Sequence, residues 1–177
     1  MVAKDQKLSQ RQRIIAGMID AANRDGYAGA NVSQVIAHAG VSRPTFYEYF
    51  SDKHDCFVTT NREIAIRLLA HIRDAVEQAP PEQALQAAVR RLLARVEAQP
   101  EQTAFLANAT MGGGPLALDE RDRTIRAIER IVEEARARTP AQALSPDLPT
   151  RAVIGATHWL LLSRIRRDQF DFKELAD

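Results

Sequence analysis

The run Val32-Ser33-Gln34-Val35-Ile36-Ala37-His38-Ala39-Gly40-Val41-Ser42-Arg43-Pro44-Thr45-Phe46-Tyr47-Glu48-Tyr49-Phe50 decides how the chain folds. It has the order of two short helices joined by a tight turn. Gly40 supplies that turn, because a residue without a Cβ enters the left-handed backbone region freely. Ser42 is placed to cap the second helix, and Pro44 falls in its first turn, where a missing amide hydrogen is no loss. Val35, Val41 and Phe46 fill the wedge that a steep helix crossing leaves. A helix-turn-helix of this kind presents its second helix to a DNA major groove about 12 Å wide.

Outward from this run the pattern stays helical. Upstream, Ile14, Ile15, Met18, Ile19 and Ala22 recur three and four residues apart, predicting a first helix over residues 9–24 with Gly26 as its C-terminal cap. Asn31 or Ser33 caps the next helix, expected to end at Gly40, and Phe50 closes the third. Downstream, Asp52 caps a long fourth helix in which Phe57, Ile64, Leu68, Leu69, Ile72 and Val76 repeat until Pro80 and Pro81 stop it. Leu85, Val89, Leu92, Leu93 and Val96 mark a fifth helix and residues 100–109 a sixth. Gly112, Gly113 and Gly114 read as a flexible break. A seventh helix is expected over residues 117–138, with Ile125, Ile128, Ile131 and Val132 inward and a charged face laced by i,i+4 pairs. Residues 139–149 read as a loop. The last clear helix, over residues 150–168, carries Val153, Ile154, Trp159, Leu160, Leu161 and Ile165. Beyond Phe170 a further helix begins, which predicts a chain cut short. No stretch alternates like a strand, so the fold class is all-α.

Composition narrows the setting. The chain has 177 residues, 45% of them apolar, enough for a real core. No apolar run approaches the roughly 20 residues that cross a bilayer, and the N-terminus lacks the apolar centre of a signal peptide, so a cytoplasmic location is expected. A lone Cys56 offers neither an intramolecular disulfide nor a thiolate metal site. The net charge of +1 conceals a basic end, where Lys4, Lys7, Arg11 and Arg13 face a single Asp5.

With Ser51-Asp52-Lys53 appended, the deciding run resembles the signature of the TetR family of bacterial-type transcriptional repressors. There Ala-Gly-Val-Ser, then Thr, an apolar residue and Tyr, then Tyr or His, Phe and a Lys recur at these spacings. The likeness covers residues 14–57 in motif and departs from the family at Ile36, where a small Ala is usual. A bulkier residue at that point should change the angle or spacing of the two helices.

The resemblance implies a DNA-binding domain over residues 1–53 and a helical ligand-binding and dimerisation domain over residues 54–177. It implies a homodimer on a palindromic double-stranded DNA operator, released by a small-molecule effector, with no cofactor and no membrane. Arg43 and Thr45, beside Ser42 and Pro44 at the start of the recognition helix, would read base edges, Arg43 by a bidentate contact to guanine worth roughly 1–3 kcal/mol. Tyr47 and Tyr49 would offer hydroxyls to phosphates, and Ser33 a further contact. Lys53, with the amides at the start of the fourth helix, would hold a second phosphate. Lys7 and Arg11 would approach the flanking backbone or a minor groove. Phe46 and Phe50 belong to the core. Leu68, Leu92, Phe105, Met111 and Trp159 are candidates to line the effector site, and the last helix to form the dimer interface.

An enzyme is the competing class. His158 stands in the apolar terminal helix while His54 and His71 are dispersed, with no Ser-His-Asp order or metal spacing around them. Gly112-Gly113-Gly114 lacks the Lys-Ser/Thr partner and the preceding strand of a phosphate loop, so no catalytic residue is assigned. An activator or an architectural DNA-binding protein is the other alternative.

Overall fold

The computed structural model describes residues 8–112, 114–138, 149–165, 167 and 169, the side chains of residues 108–112 and 116 excepted. The expected 139–149 loop, apart from Pro149, lies outside the described residues, as do the stretch after Phe170, Lys4, Lys7 and the Met111 side chain. Among the described residues the elements are eight α-helices and a 3₁₀ turn at Pro81–Gln83, with no strand. They are α1 (Gln10–Gly29), α2 (Val32–Ala39), α3 (Arg43–Tyr49), α4 (Lys53–Gln78), α5 (Ala84–Ala98), α6 (Pro100–Gly112), α7 (Gly114–Arg136) and α8 (Thr150–Ile165).

Caps set the ends of the first four helices. The Ser9 hydroxyl accepts the Gln12 amide at 3.2 Å while the Gln12 side chain accepts the Ser9 amide at 2.9 Å, a reciprocal box. Gly26, at φ +69°, kinks α1, which resumes for one turn to Gly29 rather than stopping as the sequence suggested. Asn31, not Ser33, caps α2: its Oδ1 accepts the Gln34 amide at 3.1 Å and Gln34 returns the bond at 2.8 Å. Gly40 closes α2 in the left-handed region, at φ 60° and ψ 43°. Ser42 caps α3 and Asp52 caps α4.

Three corrections fall further along. α6 continues to Gly112 and α7 begins at Gly114, at φ +73°, so two of the three glycines of the expected flexible break belong to helices, while Gly113 lies outside the described residues. α8 ends at Ile165. The ion pairs on α7 include Arg123 to Glu120 at 2.7 Å, spaced i,i+3, and Glu120 also reaches across to Arg62 on α4 at 2.8 Å.

Three apolar centres follow from this order, the smallest joining Leu93 and Val96 of α5 to Ala107 of α6 and Leu161 of α8, and the other two lying along α4. In the head, Ile14, Met18, Val35 and Phe46 are fully buried between α1, α2 and α3. The head's core continues past residue 53 into Cys56 and Phe57 of α4 and Phe105 of α6, whose ring packs on Phe57 with centroids 5.1 Å apart. The second centre joins α4, α5, α7 and α8 through Ile72, Val76, Ala88, Val132 and Ile154. α4, about 39 Å long at 1.5 Å per residue, runs through both. α6 docks on α1, where the Asn23 amide group donates to the Glu101 carbonyl at 2.8 Å.

Cys56 sits at the centre of the head core, fully buried. Burial pushes its thiol up to about 12, with the Thr60 hydrogen bond acting in the opposite sense. Iodoacetamide at pH 8 should therefore leave the native thiol unmodified and label it fully once the protein unfolds, as mass spectrometry would read. Rapid labelling of the folded protein would contradict this packing.

Candidate nucleic-acid interface and effector cavity

α3 turns its apolar Phe46 inward and leaves Arg43, Pro44, Tyr47, Glu48 and Tyr49 exposed. Tyr47 is 49% and Tyr49 41% accessible, more than buried aromatics retain, so their hydroxyls are open to a partner. The Arg43 guanidinium donates to Ser33 Oγ of α2 at 2.8 Å, holding the side chain at the helix crossing. Ser42 Oγ accepts the Thr45 amide at 3.1 Å and pairs with the Thr45 hydroxyl at 2.8 Å. Tyr49 OH donates to Gln10 Oε1 at 3.4 Å. Ser33, Ser42, Arg43, Pro44, Thr45, Tyr47 and Tyr49 thus share the α2–α3 corner or the outer side of α3. Ile36, the departure from the family pattern, is half-buried against the head core.

This face is held by contacts that the sequence did not announce. Gly17 of α1 lies so close to α2 that a Cβ on it would stand 2.5 Å from the Val35 carbonyl oxygen. Arg13 donates to the Gly40 carbonyl at 3.1 Å, tying α1 to the turn. Arg11, expected near flanking DNA, instead pairs with Glu63 of α4 and lies 5.6 Å from the centroid of the Phe50 ring.

Lys53 departs most from expectation. Its ammonium donates to the Tyr27 and Ala30 carbonyls, each at 2.9 Å, and stands 4.3 Å from the Tyr27 ring centroid. The start of α4 is equally engaged: Asp52 accepts the Asp55 amide at 2.8 Å, and the Asp55 carboxylate accepts both the amide and the hydroxyl of Ser51. Two carboxylates at that end oppose a phosphate. Tyr27, which the sequence reading passed over, holds the junction through its hydroxyl on His54 Nδ1 at 2.9 Å and its ring on Phe57. Burial first, and then the Asp52 charge, raise the Tyr27 phenol above its usual value.

Between α4, α5, α6, α7 and α8 lies a cavity of about 120 Å³. Leu68 and Leu92 line it as expected. Phe105 does not; it is fully buried in the head core instead. Trp159 does not either, for it is 64% exposed on the outer side of α8. Polar residues that sequence reasoning missed complete the wall, chiefly Arg95, Arg121 and His158. Their signal was register: Arg95 stands in the stripe of Leu92, Val96 and Gln99, and His158 in that of Ile154, Leu161 and Ile165. His158 Nε2 is buried without a hydrogen-bond partner. Burial, and next the Arg121 charge, hold this imidazole below its usual range against the opposite pull of Asp122.

Residues 14–60 match the model of the family described as bacterial regulatory proteins, tetR family. No curated protein matches the chain in sequence. Among solved structures, the fatty acid degradation regulator FadR from Bacillus halodurans superposes with a TM-score of 0.78 at 19% identity, covering 93% of this chain and 92% of that one. FadR from Bacillus subtilis, solved in complex with stearoyl-CoA, gives 0.76 at 15% identity, covering 89% and 88%. A TetR-like transcriptional regulator from Rhodococcus sp. RHA1 gives 0.72 at 19% identity, covering 95% and 90%. At these identities the likeness speaks for the fold, while the match over α1–α4 carries the motif. Residues 14–60 thus carry the helix-turn-helix of the tetR family of bacterial regulatory proteins, and the whole length follows the all-α fold of those solved regulators.

Proposed function

We propose that the protein is a homodimeric repressor that holds a palindromic operator through α3 and lets go when a small molecule fills the cavity between α4 and α8. The observation that carries this reading is the exposed outer side of α3, with Arg43, Tyr47 and Tyr49 projecting from a helix whose Phe46 is locked in the core. Arg43 exchanges Ser33 for a guanine edge, Thr45 contacts a base beside it, and the two tyrosines with Ser33 donate to phosphates. Ser42 and Pro44 set the backbone approach of the recognition helix.

The division of labour runs along α4 and α6. Asn61, Ile64 and Leu68 of α4 and Thr103 and Leu106 of α6 line the cavity, while Ile64 and Phe105 of these same helices belong to the head core. A ligand that favours one spacing of α4 and α6 shifts the two heads of a dimer, provided it binds the non-DNA-binding form more tightly. Trp159, exposed on α8, is the apolar surface that a second copy covers. The protein acts in the cytoplasm, as a regulator rather than an enzyme, and no described helix is long and apolar enough to cross a membrane.

Selection of bound sequences from random DNA should return a dyad, because a two-fold dimer presents two recognition helices. In gel-shift titrations Arg43→Ala should relax the preference at one base position in each half-site, whereas Tyr47→Phe should weaken all sequences alike. Selected DNA without a dyad, or normal operator affinity in both variants, would overturn this placement of α3.

A further inference from the structure

The cavity wall is mostly apolar, yet its charge is one-sided: Arg95 and Arg121 line it beside the imidazole of His158, and among its described lining residues there is no Asp or Glu. Arg121 is already paired, with its Nε and Nη2 on Asp122 Oδ1 at 2.8 and 2.6 Å. Arg95 has a neutral partner, the Gln102 side-chain oxygen at 3.0 Å, and Gln102 in turn donates to Gln99. Burial, and then the like charge of Arg67, lower the Arg95 pKa below the ordinary arginine value. A guanidinium partly withdrawn from water without a counter-ion is costly, and an anion entering beside it recovers that cost. His158 Nε2, buried and without a partner, is a second group left open at the same cavity.

Building on the effector site above, we propose that this cavity takes a compact apolar carboxylate. Arg95 receives the carboxylate, the hydrocarbon lies among Leu68, Leu92, Ile128 and Ile154, and His158 Nε2 hydrogen-bonds to a polar atom of the ligand. A guanidinium fork matches a carboxylate with two parallel charge-assisted bonds, whereas an alcohol or a thioester carbonyl accepts as a neutral group and an ammonium is repelled. Size points the same way. A cavity of about 120 Å³ is on the scale of the roughly 150 Å³ apolar cavities that admit benzene, so it encloses up to about six carbons of a tail.

Calorimetric titration of the full chain with octanoate, 1-octanol, octylamine and octanoyl-CoA varies the head on one tail. Octanoate should bind, and the other three about tenfold more weakly or worse. Arg95→Gln should lower octanoate affinity about tenfold to a hundredfold and erase its advantage over octanol. Arg91→Gln, at an exposed position of the same helix, should change neither. If Arg95→Gln does not fold, Arg95→Lys, which keeps the charge and loses the fork, should show a smaller loss in the same direction. Octanol or octylamine binding as tightly as octanoate, octanoyl-CoA binding more tightly, an acid preference that survives Arg95→Gln, or no octanoate binding at millimolar concentration would each overturn the proposal. Operator affinity read alongside separates the two ideas. Octanoate held through Arg95 without any change in DNA binding supports the acid site and removes ligand-relieved repression. Octanol that binds as tightly as octanoate and releases DNA does the reverse.

Discussion

Gly17→Ala should destabilise the DNA-binding head by about 2 kcal/mol and weaken its hold on an operator, although alanine is the better helix former by about 1 kcal/mol. The added methyl would lie 2.5 Å from the Val35 carbonyl oxygen and 3.2 Å from the Ala39 nitrogen, both backbone atoms of α2. A flexible side chain could rotate away from such a clash; a helix backbone has to move as a unit. Overpacking of this kind costs about 1–3 kcal/mol, and at 2.5 Å the upper part of that range applies, so the net loss is about 2 kcal/mol. Any relief comes from α2 swinging off α1, which carries Ser33, the turn at Gly40 and α3 with it. The loss should therefore show in operator affinity as well as in the thermal midpoint. Gly155→Ala in α8 is the matched control, because nothing lies within 4 Å of its added methyl. That variant should gain up to about 1 kcal/mol by the propensity difference alone. Equal stability of the two variants, measured by thermal denaturation, would show that α1 and α2 do not approach as closely as described.

The contrast between these two glycines shows what the sequence could and could not reveal. Both stand inside helical patterns, and only the partner helix distinguishes them. The legible features were local. Ser9, Asn31, Ser42 and Asp52 each bond an amide three residues on, and Gly40 takes its backbone conformation from its own lack of a side chain, so these ends could be read from short windows. The inward positions of Val35, Phe46, Ile72 and Val132 followed from the 3.6-residue period in the same way. What was not legible depends on which distant helices meet. Phe105 and Trp159 are both large and apolar, yet α6 meets α1 and α4 and buries the first, while the outer side of α8 leaves the second in solvent. Arg95 and His158 were hidden for the complementary reason: their register points inward, but which helices face that stripe, and so whether they leave a cavity there, is not written in the period.

Lys53→Met should lower stability by about 2 kcal/mol and leave the salt dependence of DNA binding as it is. The lysine is placed where a phosphate contact was expected, and that role would make its removal flatten the slope of log affinity against log salt by about 0.9 for each subunit bound. Its ammonium faces inward instead, on the Tyr27 and Ala30 carbonyls and the Tyr27 ring. Leaving a carbonyl without its donor costs about 1–3 kcal/mol when buried, and the site is only half-buried, so water offsets part of the loss at each oxygen. Loss of the cation–ring contact adds about 0.5–1 kcal/mol. The sum, about 2 kcal/mol, corresponds to a drop of about 4–8 °C in the thermal midpoint for a chain of this length. Tyr27 and Ala30 flank the short link between the kinked end of α1 and the Asn31 cap, so Lys53 fastens the start of the helix-turn-helix to the start of α4. Operator affinity should fall to the extent that this fastening holds α2 and α3 in place, by the same factor at every salt concentration. A reduced salt slope with an unchanged thermal midpoint would instead return Lys53 to the phosphate backbone and remove it from the frame of the head.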